Sequence, residues 1–394
     1  MEIHMIKHLV SKHFLDIALG MYTYTYPEAS DMEIEVSIPR SYGFMVYEIV
    51  NGIGLDVLSR DYGSVDLCHN KYIYVVKKIN VDSYTLCRLL KKRLRCRSSE
   101  ILGLKDTEAV AHQIVILYGC RAPVKELRLE MKERYIEAFL WQCDTEVIHN
   151  GNKFMIKLSV DPDNVNVIMD RLDVVKKYGG RFLNFFGYQR FGSRRPITHM
   201  LGKLLVKKNW DLFIEILCKY SFSTQYLVAN KRGYTFCNLR YRYEDPLTFI
   251  KKAIPRDYLR LFIEAYQSYL FNVVLSKLWI EMLSNRSIEN TLSVMNSTYR
   301  YMPIVGSRIN IQQPGIKEVA EEVLDVEGIE PKDFILKELG IESRGDFRES
   351  IAYARDICVD SERNEIKISF ILDRGSYASI FIREIVRSNP LLVT

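Results

Sequence analysis

The chain has 394 residues, 48% of them hydrophobic and 26% charged, with a formal net charge of +6. That length is too great for one ordinary core and suits two domains, or one domain carrying a large insertion. The composition is that of a soluble globular protein, and the modest positive balance permits an anionic partner without demanding one.

The eight cysteines include no CxxC pair, which argues against a zinc knuckle or a redox motif. Scattered thiols fit a reducing cytosol, where cysteine serves as a small apolar core residue. His4, Lys7, His8, Lys12 and His13 interrupt the first apolar stretch, so no secretory signal is expected. No apolar run reaches the roughly 18 residues of a membrane span. The expectation is a cytoplasmic protein that does not enter a membrane.

In chain order, residues 33–49 read as strands joined by a turn at Pro39–Gly43, and Tyr72–Ile79 as a strand by its β-branched and aromatic content. Asp82 or Ser83 caps a helix over Tyr84–Arg95 that buries Leu86, Leu89, Leu90 and Leu94 and exposes Lys91, Lys92, Arg93 and Arg95. Asn150-Gly151 between Glu146–His149 and Lys153–Val160 predicts a tight hairpin. A helix over Asn164–Tyr178 ends at Gly179-Gly180. The pattern turns mainly helical from Trp210 to Leu339, with a long apolar periodicity over Tyr258–Met282. It closes with a strand at Glu365–Leu372 and a helix at Ser379–Arg387. This order predicts an α+β fold with a mostly antiparallel sheet flanked by helices, built from both ends of the chain and interrupted by a mainly helical insertion. The boundaries are set at 1–205 and 345–394 for the sheet domain and 206–344 for the insertion.

Two segments stand out chemically. Gly103-Leu104-Lys105-Asp106 places a lysine–aspartate pair in a loop between apolar runs, where a rigid scaffold often presents catalytic groups. An ionised aspartate serves as nucleophile, base or metal ligand, and a neighbouring lysine favours its charged form. Taken alone, these four residues read better as a solvated turn. Asn184–Arg195 packs four aromatics, three arginines and two glycines into twelve residues. Aromatic faces stack on unpaired bases and arginines meet phosphates; the plainer reading is a strand with an aromatic core face. Tyr266–Asn272 reads as helix packing, and Gly375–Ala378 as a turn into a docking helix. The dispersed histidines offer no metal-ligand spacing, and no phosphate-binding loop or dinucleotide fingerprint is present.

Together, and in this order, these segments resemble the TruD family of tRNA pseudouridine synthases. Gly103-Leu104-Lys105-Asp106, followed by Ala109 and Gln113, is similar to the family's Gly-x-Lys-Asp motif. Asn184-Phe185-Phe186-Gly187-Tyr188-Gln189-Arg190-Phe191-Gly192 is similar to its Asn-aromatic-Phe-Gly-x-Gln-Arg-Phe-Gly motif. Tyr266–Asn272 and Gly375–Ala378 with Arg383-Glu384 resemble its two later segments, and Asp16–Tyr22 resembles the start of archaeal members. The chain departs from the pattern at Thr107 and Ala111. It departs again before Val46-Tyr47-Glu48, where an acidic pair and an upstream lysine are missing.

The resemblance implies a pseudouridine synthase domain with an inserted domain, acting on a uridine of tRNA at position 13, or of another RNA, with no cofactor and no metal, as a monomer. By the same resemblance Asp106 is the catalytic carboxylate, attacking C1′ or removing the C2′ proton, and Phe186 stacks on the extruded base. Asn184 orients Asp106 or contacts the nucleotide, and Lys105 and Arg190 position phosphates or support the carboxylate. The rival reading is a non-catalytic RNA-binding protein or RNA chaperone on the same fold, against which the retained Gly-Leu-Lys-Asp segment argues. A methyltransferase using Asp106 as base lacks its glycine-rich cofactor loop here.

Overall fold

The computed structural model describes residues 10–39, 42–57, 65–192, 195–218 and 235–393. Its centre is a twisted sheet made from both ends of the chain. Besides a two-residue edge strand at Val36–Ser37 that pairs antiparallel with Ser159–Val160, the strands are β1 (Phe44–Val50), β2 (Ile53–Gly54), β3 (Lys71–Ile79), β4 (Ser98–Ile101), β5 (Val110–Tyr118), β6 (Glu126–Met131), β7 (Arg134–Cys143), β8 (His149–Val160), β9 (Arg355–Glu362) and β10 (Glu365–Asp373). Their spatial order is β9-β10-β8-β1-β5-β3-β7-β6, with β2 on β1 and β4 on β5. Every pair is antiparallel except β1–β5 at the centre, which is parallel.

The register fixes which residues share a face. Lys78, Ala111, Val46, Phe154 and Phe370 form one row across five strands. Two residues further along, Val76 stands beside Gln113, and Glu48 beside Asn152, which stands beside Leu372. Rows two residues apart point to the same side of a sheet. Helix α1 (Ser83–Leu94) covers one half of this face, packing Leu86, Leu90 and Leu94 on Tyr74, Val76, Val115 and Ile136. Helices α2 (Val165–Lys177) and α5 (Ala378–Val386) cover the other half, where Phe370 meets Phe381 at 4.4 Å between ring centroids. The central strands β1 and β5 lie between the two covers.

Local chemistry sets the ends of these elements. The Asp82 carboxylate caps α1 by accepting from Thr85 N–H at 2.8 Å, and Arg95 ends the helix in a left-handed conformation. Beyond α2, Gly179 and Gly180 both have positive φ. A Cβ on Gly180 would lie 2.0 Å from the Ala354 carbonyl oxygen, so no larger residue fits. Between the sheet segments the chain is mainly helical, led by α3 (Thr198–Val206) and the 30-residue α4 (Arg256–Asn285). α3 and α4 touch at Gly202, where a Cβ would clash with the Phe262 carbonyl. No helix among the described residues is long and apolar enough to cross a membrane.

Two expectations are corrected. The Asn150-Gly151 hairpin does not form: β8 runs unbroken through both residues. Gly151 pairs there with Ile49 and Asp373, and a Cβ on it would lie 2.4 Å from the Leu372 carbonyl oxygen. The glycine serves close strand approach rather than positive φ. The tight Asn-Gly turn is instead Asn51-Gly52, with φ of 51° and 79°, between β1 and β2. Asn150 secures that turn, its Oδ1 accepting from Gly52 N–H at 2.8 Å. The cysteines are also not all free: Cys68–Cys143, Cys96–Cys120 and Cys218–Cys237 pair as disulfides, leaving Cys87 and Cys358 free. Pairs separated by 19 to 75 residues leave no short sequence motif to read.

Candidate active site

Between the two helical covers, the centre of the sheet carries polar side chains where a core would be apolar. Glu48, Gln113 and Lys78 are each fully buried on this face. Burying charge is costly unless it is paired, and Glu48 is satisfied on both oxygens. Oε1 accepts from the Lys105 ammonium at 2.7 Å, and Oε2 accepts from Ile114 N–H at 2.8 Å. Gly103 makes room for this pair, since a Cβ there would stand 3.1 Å from Lys105 Nζ. Neither polar atom of the Gln113 amide has a hydrogen-bond partner among the described residues.

The loop from Leu102 to Ala109 lies over this floor and carries Asp106. Its backbone is pinned from two sides. Lys105 N–H donates to Ser83 Oγ at 3.2 Å, at the start of α1. The Lys78 ammonium, rising from the sheet, donates to the Asp106 carbonyl at 2.5 Å and to the Lys105 carbonyl at 3.3 Å. The Asp106 carboxylate itself makes no hydrogen bond or ion pair with any described residue, and its surface is open to solvent. Surrounding protein mass nevertheless pushes its pKa above the ordinary carboxylate value, with Glu108 adding to the rise and Lys78 and Lys105 opposing it. Burial pulls Lys78 down to about 8, opposed by the Asp106 charge. The two groups are thereby brought toward neutrality from opposite sides, a pattern of acid–base sites.

The second segment is a junction rather than a surface. Asn184 and Phe186 are 5% and 8% exposed. Asn184 Nδ2 donates to the Glu349 carbonyl at 3.0 Å, and its Oδ1 accepts from Arg348 at 2.6 Å. Phe186 N–H donates to Asn272 Oδ1 at 2.8 Å, and Asn272 Nδ2 donates in turn to the carbonyls of Leu19 and Phe186. The Phe186 ring packs edge-on against Phe271 and Tyr377, with the Arg348 guanidinium 4.3 Å from its centroid. Arg190 donates to Ser268 Oγ and to the Glu264 carboxylate, each at 3.1 Å. Tyr188 OH donates to Asp16 at 2.5 Å, and Asp16 accepts from Arg383 at 2.7 Å. Three of the four segments singled out by sequence, Asn184–Gly192, Tyr266–Asn272 and Gly375–Glu384, therefore meet in space together with Asp16.

The model for the family described as tRNA pseudouridine synthase D matches residues 34–234 and 290–385. The chain belongs to the TruD family of tRNA pseudouridine synthases. A probable tRNA pseudouridine synthase D of Saccharolobus solfataricus is 29% identical over 411 residues, covering 97% of this chain and 99% of the relative. A probable tRNA pseudouridine synthase D of Pyrobaculum islandicum is 31% identical over 352 residues, covering 80% and 83%. The crystal structure of a putative TruD from Methanosarcina mazei matches 96% of this chain with a TM-score of 0.67 at 20% identity. That likeness carries the α+β fold.

Among the family's motif residues, Lys105 and Asp106 form one group with Lys78 and Glu48, and Asn184, Phe186 and Arg190 form another around Arg348 and Asn272. Asn184 spends its amide on Arg348 and Glu349 rather than on Asp106. Phe186 offers little free ring, since Arg348 and two aromatics already cover it. Sequence reasoning passed over Lys78 and Arg348. For Lys78 a signal existed: strand alternation sets it on the same face as Tyr72, Tyr74 and Val76, so a lysine pointed into the core. For Arg348 no local pattern existed. Of the divergent stretch before Glu48, Arg40 and Ser41 lie outside the described residues, as do Ser193 and Arg194 of the second motif.

Proposed function

We propose that the chain converts one uridine of tRNA, at position 13, to pseudouridine, with Asp106 as the catalytic carboxylate. The uridine leaves its stack to reach Asp106. Its N1–C1′ bond breaks, the uracil turns, and a C5–C1′ bond forms as the C5 proton is lost and N1 gains one. Asp106 acts at the sugar, attacking C1′ or removing the C2′ proton, as carboxylates act beside developing positive charge in glycoside chemistry. Reactant and product are isomers, so the reaction consumes no cofactor.

The observation that carries this reading is the isolation of the Asp106 carboxylate. The Lys78 ammonium holds its backbone carbonyl and Ser83 holds the adjacent Lys105 backbone, while the Asp106 carboxylate is exposed and bonds no described residue. Lys105 supports it from the buried Glu48 pair. The sheet segments, residues 1–205 and 345–394, form the catalytic domain in this reading, and residues 206–344 the inserted one. Asn184, Phe186 and Arg190 shape the wall that receives the nucleotide.

The test is to incubate the protein with an unmodified tRNA transcript and map pseudouridine chemically. Product at position 13, absent when that uridine is replaced by cytidine, is the expected result. Product elsewhere corrects the target, and no product at any uridine overturns the reading.

A further inference from the structure

We propose that Arg348 anchors a phosphate flanking the target nucleotide; the inference rests on the reading of the Asp106 region as the tRNA site. Arg348 lies on the short strand Asp346–Glu349. Its guanidinium is stacked 4.3 Å from the Phe186 centroid, with Tyr377 at 5.7 Å and Phe271 at 5.8 Å. Nε donates to the Asn184 carbonyl at 3.0 Å, Nη1 to the Gly375 carbonyl at 2.9 Å, and Nη2 to Asn184 Oδ1 at 2.6 Å and the Phe185 carbonyl at 3.5 Å. Every one of these acceptors is neutral.

No carboxylate among the described residues lies within ion-pair distance of it; the adjacent Glu349 is turned to Arg300 at 2.8 Å. Arg190 brings a second guanidinium to 5.9 Å from the same ring, but Glu264 neutralises that one. The aromatic junction thus carries one uncompensated positive charge. Elsewhere in the fold Arg383 is matched by Asp16. Arg171 meets only carbonyls, but at 1% exposure it is sealed in the core beyond the reach of any anion. Arg348 is only half-buried, and the four bonds leave one of its five N–H groups unspent.

Its place also fits. Glu48, which holds Lys105 beside the nucleophile, shares a row with Leu372 two strands away, a lateral distance of about 10 Å. Leu372 is three residues before Gly375, on whose carbonyl Arg348 rests. The Asp106 loop and the Arg348 guanidinium are thus tied to sheet positions two strands apart, and in this proposal the extruded nucleotide and its flanking phosphate lie between them. A planar fork already oriented by stacking and backbone bonds is suited to a phosphodiester.

The experiment measures dissociation constants for unmodified tRNA over a salt series, with melting curves for each protein. Arg348→Gln is expected to weaken binding about tenfold and to reduce the slope of log Kd against log salt by about 0.7 to 0.9, the loss of one phosphate contact. Arg348→Lys keeps the slope and lowers turnover, because the charge remains but the fork is lost. An unchanged slope and affinity in Arg348→Gln overturns the proposal. A second arm needs no variant: single methylphosphonate replacements around the target nucleotide, bound to the unaltered protein, must include one that reproduces the same loss. If none does, the anchor is wrong. Normal salt-dependent binding with no pseudouridine formed contradicts the proposed reaction while leaving the anchor standing.

Discussion

The Asp106 loop and the Asn184–Gly192 segment both bear family motifs, and they are built in opposite ways. The loop lies across a polar floor, fixed through its backbone, and leaves its carboxylate unengaged. The half-sheet beside it, under α1, is stapled by Cys68–Cys143 and Cys96–Cys120. The Asn184 segment has no such staple. It is held by aromatic packing and by side-chain amides spent on neighbouring backbones. A reactive group has to stay uncommitted, so its surroundings must be rigid. A wall that shapes a pocket is rigid through its own contacts.

The sharpest way to break this contrast is at Lys78. Lys78→Met removes the cation under the Asp106 loop and is expected to lower kcat by about 10²–10³-fold, the scale of losing one preorganised electrostatic contact. The pH profile identifies the cause. In the proposed reaction Asp106 acts in its ionised form, so activity is expected to fall as pH drops through its raised pKa, above the usual value near 4. Lys78 is charged below about 8, so activity also falls as pH rises through that value. The alkaline limb should vanish in Lys78→Met. If it persists, Lys78 does not set it.

Next in size is the staple. Reducing Cys96–Cys120, which closes 24 residues, removes about 3 kcal/mol in the chain-entropy account. Hydrogen exchange after reduction should speed up first in α1 and β5, with the Asn184 segment still protected. Uniform loosening would contradict the division. A smaller effect is expected at Gly187, where a Cβ would stand 2.7 Å from the Tyr377 ring. Gly187→Ala should cost about 1–3 kcal/mol of stability and leave the pH profile unchanged, because it strains the wall and not the nucleophile.

Much of the fold was legible because it followed local rules: the Asp82 cap, the leucine face of α1, the Gly179-Gly180 stop and the alternation in β3. Asn150-Gly151 was misread because the same dipeptide serves two physical needs. Asn51-Gly52 uses the glycine for positive φ, whereas Gly151 uses it to let β10 approach. Only the neighbouring strand distinguishes them. At the site, Asp106 and Lys105 were legible through the motif, but the Glu48 partner of Lys105 is 57 residues away and the Arg348 partner of Asn184 is 164 away. Phe186 shows the same limit. Its aromatic character was plain, while its cover by Arg348 depends on a strand that enters from the far end of the chain.

The central claim is that Asp106 performs the chemistry and does not hold the fold. Asp106→Asn and Asp106→Ala, assayed on unmodified tRNA, should form no pseudouridine while their melting temperatures and tRNA affinities match the unaltered protein. Full product formation by either variant would contradict the account.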